Sequence, residues 1–327
     1  MLRPGCPTPA AVERFAADLA AIFPAGDRLG IAVSGGPDSM ALLLLAHAVL
    51  GGNVDAATID HGLRPESGAE AAMVADLCRE LGIAHETMRV DVPAGNVQSA
   101  ARKERYRALN AWAARRDLSG IATAHHADDQ AETLLMRLNR GSGLSGLAGI
   151  RAKTQAPGGE ALLVRPLLDW RKAELLDLVT SAGVSCAEDP SNRDAKFDRV
   201  AMRRHLVKAE WLDPAAIARS ARHLGEAELA IAGMTGRIWN DAVIIEKDAW
   251  LYFPGRSPPE GRHFIHLEIV RRILGGNAGI RGNDIARAVD RLSGGDAATL
   301  GGHQARVTER DGETAWIFTP ESPRRTG

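Results

Sequence analysis

Ser34-Gly35-Gly36-Pro37-Asp38-Ser39 lies between a short apolar run, Arg28 to Val33, and the long apolar stretch Met40 to Leu50. The first run reads as a strand and the second as a buried helix from Ser39 to Leu50, so the hexapeptide is a strand-to-helix loop. Two glycines allow the backbone to approach a ligand closely. The N-terminus of the following helix offers free N–H groups and a partial positive charge to an anion. The serine hydroxyls add donors, and Asp38 can hold a magnesium ion that bridges phosphates. A Walker loop would need a lysine before its Ser/Thr, and there is none here. The bland alternative is a Gly-Gly turn with Asp38 as a capping group. The full string between strand and helix favours a phosphate loop.

Outward from that loop the pattern repeats. An amphipathic helix, about Ala10 to Phe23, precedes it. The apolar run Val54 to Ile59 ends at Asp60-His61-Gly62, and helix-like Glu70 to Leu81 leads to strand-like Ile83 to Val90. The stretch Gln98 to Arg116 then leads to Gly120–Ala124, which ends at His125-His126. Strands alternating with helices predict an α/β fold, a parallel sheet with helices on both faces. In such sheets ligands gather at the C-terminal ends of the strands, where all three polar motifs sit. Beyond Gly149 the alternation fades. A loop at Thr154–Glu160 precedes a helix from about Trp170 to Ala182, with Asp169 as its N-cap. Asp213-Pro214 reads as a boundary. After it come a helical stretch (Ala215 to Trp239), a helix (His263 to Leu274) and short strands at Val243–Ile245, Trp250–Phe253 and Ala315–Phe318. The expected organisation is a catalytic domain over 1–212 and a smaller α+β or mainly helical domain over 213–327, with a disordered tail at 320–327.

The 327 residues suffice for two domains. With 45% hydrophobic and 25% charged residues, the chain has ordinary globular composition. No window approaches the ~20 continuous apolar residues of a membrane span, and no signal peptide is read at the N-terminus. Cys6, Cys78 and Cys186 are too scattered for a disulfide framework or a Cys-x-x-Cys site, so a reduced, cytoplasmic setting is expected. Net charge is −1, so any nucleic-acid contact must come from local basic stretches.

Ser34–Ser39 resembles the PP-loop of the ATP pyrophosphatases, Rossmann-like enzymes that use ATP to adenylate a substrate and release pyrophosphate. Four further stretches resemble the tRNA(Ile)-lysidine synthases in particular. They are Ile59-Asp60-His61-Gly62-Leu63-Arg64, Arg102-Lys103-Glu104-Arg105-Tyr106, Thr123 to Thr133 (with Asp128-Asp129-Gln130-Ala131-Glu132), and Arg140 to Leu147 followed by Arg165-Pro166-Leu167-Leu168. The match runs on through Asp189-Pro190-Ser191-Asn192 and covers about the first 205 residues. It implies a shorter, two-domain form of that enzyme. The implied partners are ATP with Mg2+, L-lysine, and an isoleucine tRNA with a CAU anticodon whose wobble cytidine becomes lysidine. No membrane partner is expected, and a homodimer is a permitted assembly.

The resemblance assigns the nucleotide base and ribose to Asp60 and His61, chemistry to Asp38, Arg105 and His125, and lysine binding to Asp129 and Glu132. Spacing agrees for the last pair, since residues three apart share a helical face. First-turn acids favouring the helix dipole, or a metal site of His125, His126, Asp128 and Asp129, are the alternatives. A guanidinium at Arg105 suits a pentavalent phosphorus, while Arg102, Lys103 and Arg107 read as a solvated face. The densest basic stretch is Arg193, Lys196, Arg199, Arg203, Arg204 and Lys208. Arg199 and Arg203, four apart, are expected to bind tRNA, although Val200 replaces an asparagine usual in the family. A thiolase would need paired cysteines, and an amidotransferase-type synthetase a glutaminase domain. A catalytically dead tRNA-binding protein is the rival from outside the enzymes.

Overall fold

The computed structural model describes residues 6–60, 62, 67–90, 97–187, 198–275, 280 and 282–321. His61, the segment 188–197 with Arg193 and Lys196, and the expected tail beyond Glu321 lie outside the described residues. The chain forms two compact units, Met1–Glu226 and Ala227–Gly327.

The first unit contains, in order, α1 (Pro9–Ala20), β1 (Leu29–Ala32), α2 (Pro37–Leu50), β2 (Val54–Asp60), α3 (Ser67–Leu81), β3 (Ala84–Arg89), α4 (Val97–Arg115) and β4 (Gly120–Ala122). Then follow α5 (Ala127–Asn139), α6 (Leu144–Leu147), β5 (Lys153–Gln155), β6 (Leu162–Val164), α7 (Lys172–Ser181) and α8 (Asp198–Lys208). The sheet order is β3-β2-β1-β4-β6-β5, parallel except for the hairpin partner β5. Chain order reverses between β1 and β4, which makes their C-terminal ends a ligand-binding crevice. Helix α2 is apolar all round, as a helix with no solvent face must be. Its residues Ser39–Ala46 are all buried, among α1, α7 and the sheet. On another face of the sheet α4 sets Tyr106, Leu109 and Trp112 against Ile121 and Leu163. Gly30 makes that packing fit, because a Cβ there would stand 2.5 Å from the Trp112 ring.

Three expectations need correction. The strand expected over Gly120–Ala124, β4, stops at Ala122; Thr123 N–H still bonds Val164 O at 3.0 Å, and the chain then turns toward the next helix. Asp169 does not cap α7; Arg171 does, its N–H accepted by the Glu174 carboxylate at 2.7 Å. Asp213-Pro214 is a helix start. Asp213 accepts the Ala215 N–H at 2.9 Å, and α9 (Pro214–Ala242) runs on from there, with Ala218 and Ala221 buried. The division between the units therefore falls inside α9.

The second unit is α+β. It holds β7 (Val243–Glu246), β8 (Ala249–Tyr252), α10 (Arg262–Ile273), α11 (Gly282–Ser293), β9 (Ala298–Leu300), β10 (His303–Arg310) and β11 (Glu313–Pro320). The antiparallel order is β7-β8-β11-β10-β9. Tyr252, Trp316 and Phe318 pack with Ile269, Val270, Ile285 and Val289 as its core. Helix α11 was not expected, although Ile285, Ala288, Val289 and Leu292 carry a helical stripe. Pro320 belongs to β11, and Glu321 N–H still bonds Gly302 O at 2.7 Å, so the strand outlasts the expected start of the tail.

Candidate active site

The loop after β1 is held open by its own serines. Ser34 N–H donates to Ser39 Oγ at 3.1 Å, the two hydroxyl oxygens lie 3.2 Å apart, and Ser39 Oγ donates to Gly36 O at 2.9 Å. Gly35 has φ +83°, which a side chain would resist, and its carbonyl accepts the Ala187 N–H at 2.9 Å. Pro37 fills the first helical turn of α2, where its missing N–H costs nothing. Asp38 follows it. Its Oδ1 is buried with no hydrogen-bond partner, and its Oδ2 stands 3.5 Å from His126 Nε2. A buried carboxylate oxygen without a partner is free to meet a cation. The residues present therefore fit one magnesium ion shared with phosphate oxygens.

His126 joins the two loops of the crevice. It caps α5, accepting the Asp129 N–H at Nδ1 (3.4 Å) while Asp129 Oδ2 accepts the His126 N–H (3.2 Å). That leaves Nε2–H directed at Asp38 and Asp129. Burial works against a charged ring here. The Asp38 hydrogen bond and the charges of Asp129, Asp38 and Asp128 outweigh it and raise the His126 pKa. His125 is the opposite case. Burial, helped by Arg165, Arg199 and Arg102 against Asp129, pushes it down to about 4, so it is neutral at pH 7. Its Nδ1 lies 3.0 Å from Thr123 Oγ1. The expected site residue His125 is thus a neutral imidazole. Its neighbour, read from sequence only as a metal-ligand alternative, is the one in contact with Asp38. The His126-x-x-Asp129 spacing of a capping box was the signal for it.

The acidic face of α5 divides its work. Asp128 accepts the Lys172 N–H at 2.8 Å and two Arg171 donors at 3.3 Å, docking the start of α7. Glu132 is 1% exposed, with Arg203 Nε at 2.6 Å and Arg199 Nε at 3.0 Å from its two oxygens. Arg199 also approaches Asp129 at 3.5 Å. The two arginines expected on RNA and the two acids expected on lysine therefore face one another across α5 and α8. Among the described residues, no three His, Cys, Asp or Glu side chains converge as a self-sufficient metal site.

Gln130 and Arg165 support this face. The buried Gln130 amide clamps the loop after α6, donating to Ile150 O at 2.7 Å and accepting the Ile150 N–H at 2.6 Å. Arg165, just beyond β6, donates to Arg151 O at 2.6 Å. Asp60 ends β2 and accepts the Gly62 N–H at 2.8 Å. Arg105 is exposed on α4, one turn from Arg102, whose guanidinium lies over the Tyr106 ring.

Residues 10–210 match the PP-loop domain family. A tRNA(Ile)-lysidine synthase from Novosphingobium aromaticivorans is 48% identical over 316 residues, covering 94% of this chain and 93% of that protein. The chain belongs to the tRNA(Ile)-lysidine synthase family. A second lysidine synthase, from Zymomonas mobilis, is 39% identical and covers 92% of this chain and 91% of its own length. As a lysidine synthase family member the protein is an enzyme. The U34-tRNA thiolase NcsA of Methanococcus maripaludis, solved with its [4Fe-4S] cluster, shares the fold. Its TM-score is 0.57 at 17% identity, over 66% of this chain and 78% of that one. This chain has no cysteine pair: Cys6, Cys78 and Cys186 are all free, and burial pushes the Cys78 thiol up to about 11. Among the described residues no helix is long and apolar enough to cross a membrane.

Proposed function

We propose that this enzyme joins L-lysine to C2 of the wobble cytidine in the CAU anticodon of an isoleucine tRNA, giving lysidine, AMP and pyrophosphate. The observation that carries the reading is the meeting of Asp38, with its unpartnered oxygen, and the acid-bearing helix α5 at the β1/β4 crevice. In the first step the C2 oxygen attacks the α-phosphorus of ATP and pyrophosphate leaves. In the second the ε-amine of lysine attacks C2, and AMP departs with that oxygen while the amine loses a proton. A carbonyl oxygen on an aromatic base is a poor leaving group until adenylated, which is why ATP is spent.

Backbone N–H groups of Ser34–Ser39 and the two serine hydroxyls suit the phosphates. Asp38 would hold Mg2+, which when bound neutralises phosphate charge. Arg105 opposes the charge that builds at phosphorus. Asp60 and His61 take the nucleotide base and ribose. His125, neutral at pH 7, can offer the reacting groups a hydrogen bond without adding charge.

Asp129 and Glu132 attract the lysine ammonium, but Arg199 and Arg203 now neutralise them. The lysine and RNA assignments are compatible if the guanidiniums move to RNA phosphates when tRNA arrives, baring the carboxylates for lysine. Charge then stays balanced in both states. The reading is tested with purified enzyme, ATP, Mg2+, labelled lysine and transcripts with and without the CAU anticodon. The expected result is one AMP per lysine attached, on the CAU transcript alone. AMP release with no lysine on the RNA would refute it.

A further inference from the structure

The chain has six tryptophans. Trp112, Trp170 and Trp316 are buried, and Trp239 and Trp250 are half-buried. Trp211 is 83% exposed, and Val207, four residues earlier, is 78% exposed. Trp211 stands in the turn between α8 and α9, where Ala209 N–H bonds His205 O at 3.0 Å and Leu212 N–H bonds Ala209 O at 2.8 Å. The indole is thus displayed on hydrogen-bonded backbone. Isolated exposed apolar side chains are commonplace. A large aromatic beside a second apolar residue, in a basic stretch of the chain, is a different matter. Residues 199–222 carry six Lys or Arg against two Asp or Glu, in a chain whose net charge is −1. Arg204 and Lys208, one helical turn apart, are both exposed beside the apolar pair.

An exposed π-face with Lys208 three residues before it matches the demands of an unpaired base and its phosphates. It matches a second copy of this chain poorly, because two such faces would oppose like charge to like. Location agrees with this. Helix α8 engages the active-site acids through Arg199 and Arg203, and Lys208 lies about 7.5 Å further along its axis. One RNA strand can therefore span both.

We propose that Trp211 is a stacking platform for an unpaired base of the RNA substrate, with Lys208 contacting an adjacent phosphate. The proposal rests on the tRNA reading above and adds to it a binding mode and a site.

The test uses the full chain as wild type, W211A, W211F and K208A, with an isoleucine tRNA transcript in a salt series. W211A should weaken binding roughly 5- to 150-fold, the worth of one base–aromatic stack, with an unchanged salt slope and an unchanged melting temperature. W211F should recover most of the affinity. It should also lose part of the tryptophan quenching that tRNA causes in the wild type. K208A should instead lower the slope by about 0.7–0.9. Equal tRNA affinity in W211A and wild type overturns the platform, and so does a concentration-dependent dimer that W211A abolishes. A wild type that binds no tRNA overturns the tRNA reading, and the platform with it.

Discussion

Replacing Glu132 with Gln removes the charge between Arg199 and Arg203 while keeping the side chain's shape. In the native arrangement both carboxylate oxygens accept guanidinium donors, at 2.6 and 3.0 Å, with the acid 1% exposed. An amide has one acceptor, so one arginine would face an N–H2 group, donor against donor. Removing one partner of a fully buried ion pair costs about 3–5 kcal/mol. The Arg199 and Arg203 side chains remain 45% and 29% exposed and can turn to water, which reduces the cost to about 1–3 kcal/mol. For a unit of this size each kcal/mol lowers the melting temperature by roughly 2–4 °C. Lysine should suffer separately: losing one charge-assisted hydrogen bond raises its KM roughly 10- to 150-fold. Adenylation precedes attack by the amine, so adenylated tRNA should accumulate at low lysine and be chased to product at high lysine. A time course with labelled ATP and labelled lysine, run below the mutant's melting temperature, separates the steps. If ATP consumption is lost while the KM for lysine stays fixed, Glu132 serves the phosphate chemistry, and its assignment to lysine is wrong.

Asp38→Asn should leave the fold intact, since Oδ1 has no partner to lose and an amide oxygen can keep the 3.5 Å contact with His126, yet abolish pyrophosphate release; near-normal release at ordinary ATP and magnesium would refute the loop's assignment. Gly149→Ala should destabilise the first unit by about 2–4 kcal/mol in chemical denaturation, because φ is +64° and the new Cβ would lie 2.3 Å from Gln130 Oε1. Gly158→Ala is the control. There φ is +73° with nothing within 4 Å, so only the left-handed penalty of about 1–2 kcal/mol should appear. In the second unit, burial against Tyr252 and Trp316 pushes His266 down to about 4. A depressed histidine pKa means that the unfolded chain binds the proton first. Stability should therefore fall as pH drops from about 6.5 toward 4, by about 3 kcal/mol at most. His266→Phe should flatten that part of the pH profile of melting, and an unchanged profile would exclude His266 as its source.

Much of this protein was legible in adjacent residues, because their spacing acts through local geometry. The two glycines of Ser34–Ser39, the helix Pro37–Leu50 that is apolar all round, and the three-residue step from Asp129 to Glu132 each constrain the backbone within a turn or two. Strand alternation then implies a parallel sheet, and with it the edge on which ligands gather. What adjacent residues do not encode is which distant side chains meet. Sequence treats His125 and His126 alike. The tertiary structure makes one a desolvated neutral ring and turns the other, through its cap on α5, toward Asp38. Sequence separates the acids of α5 from Arg199 and Arg203 as if they had different partners, whereas packing of α8 on α5 couples them. Asp213-Pro214 looks like a domain boundary because Asp-Pro starts helices and linkers alike; only the burial of Ala218 and Ala221 shows that the helix continues the first unit. Nothing in the residues around Trp211 tells whether it is buried; only the fold leaves it exposed. Periodicity and capping are written within a few residues, while charge partnership and exposure depend on strand order and helix packing across the whole unit.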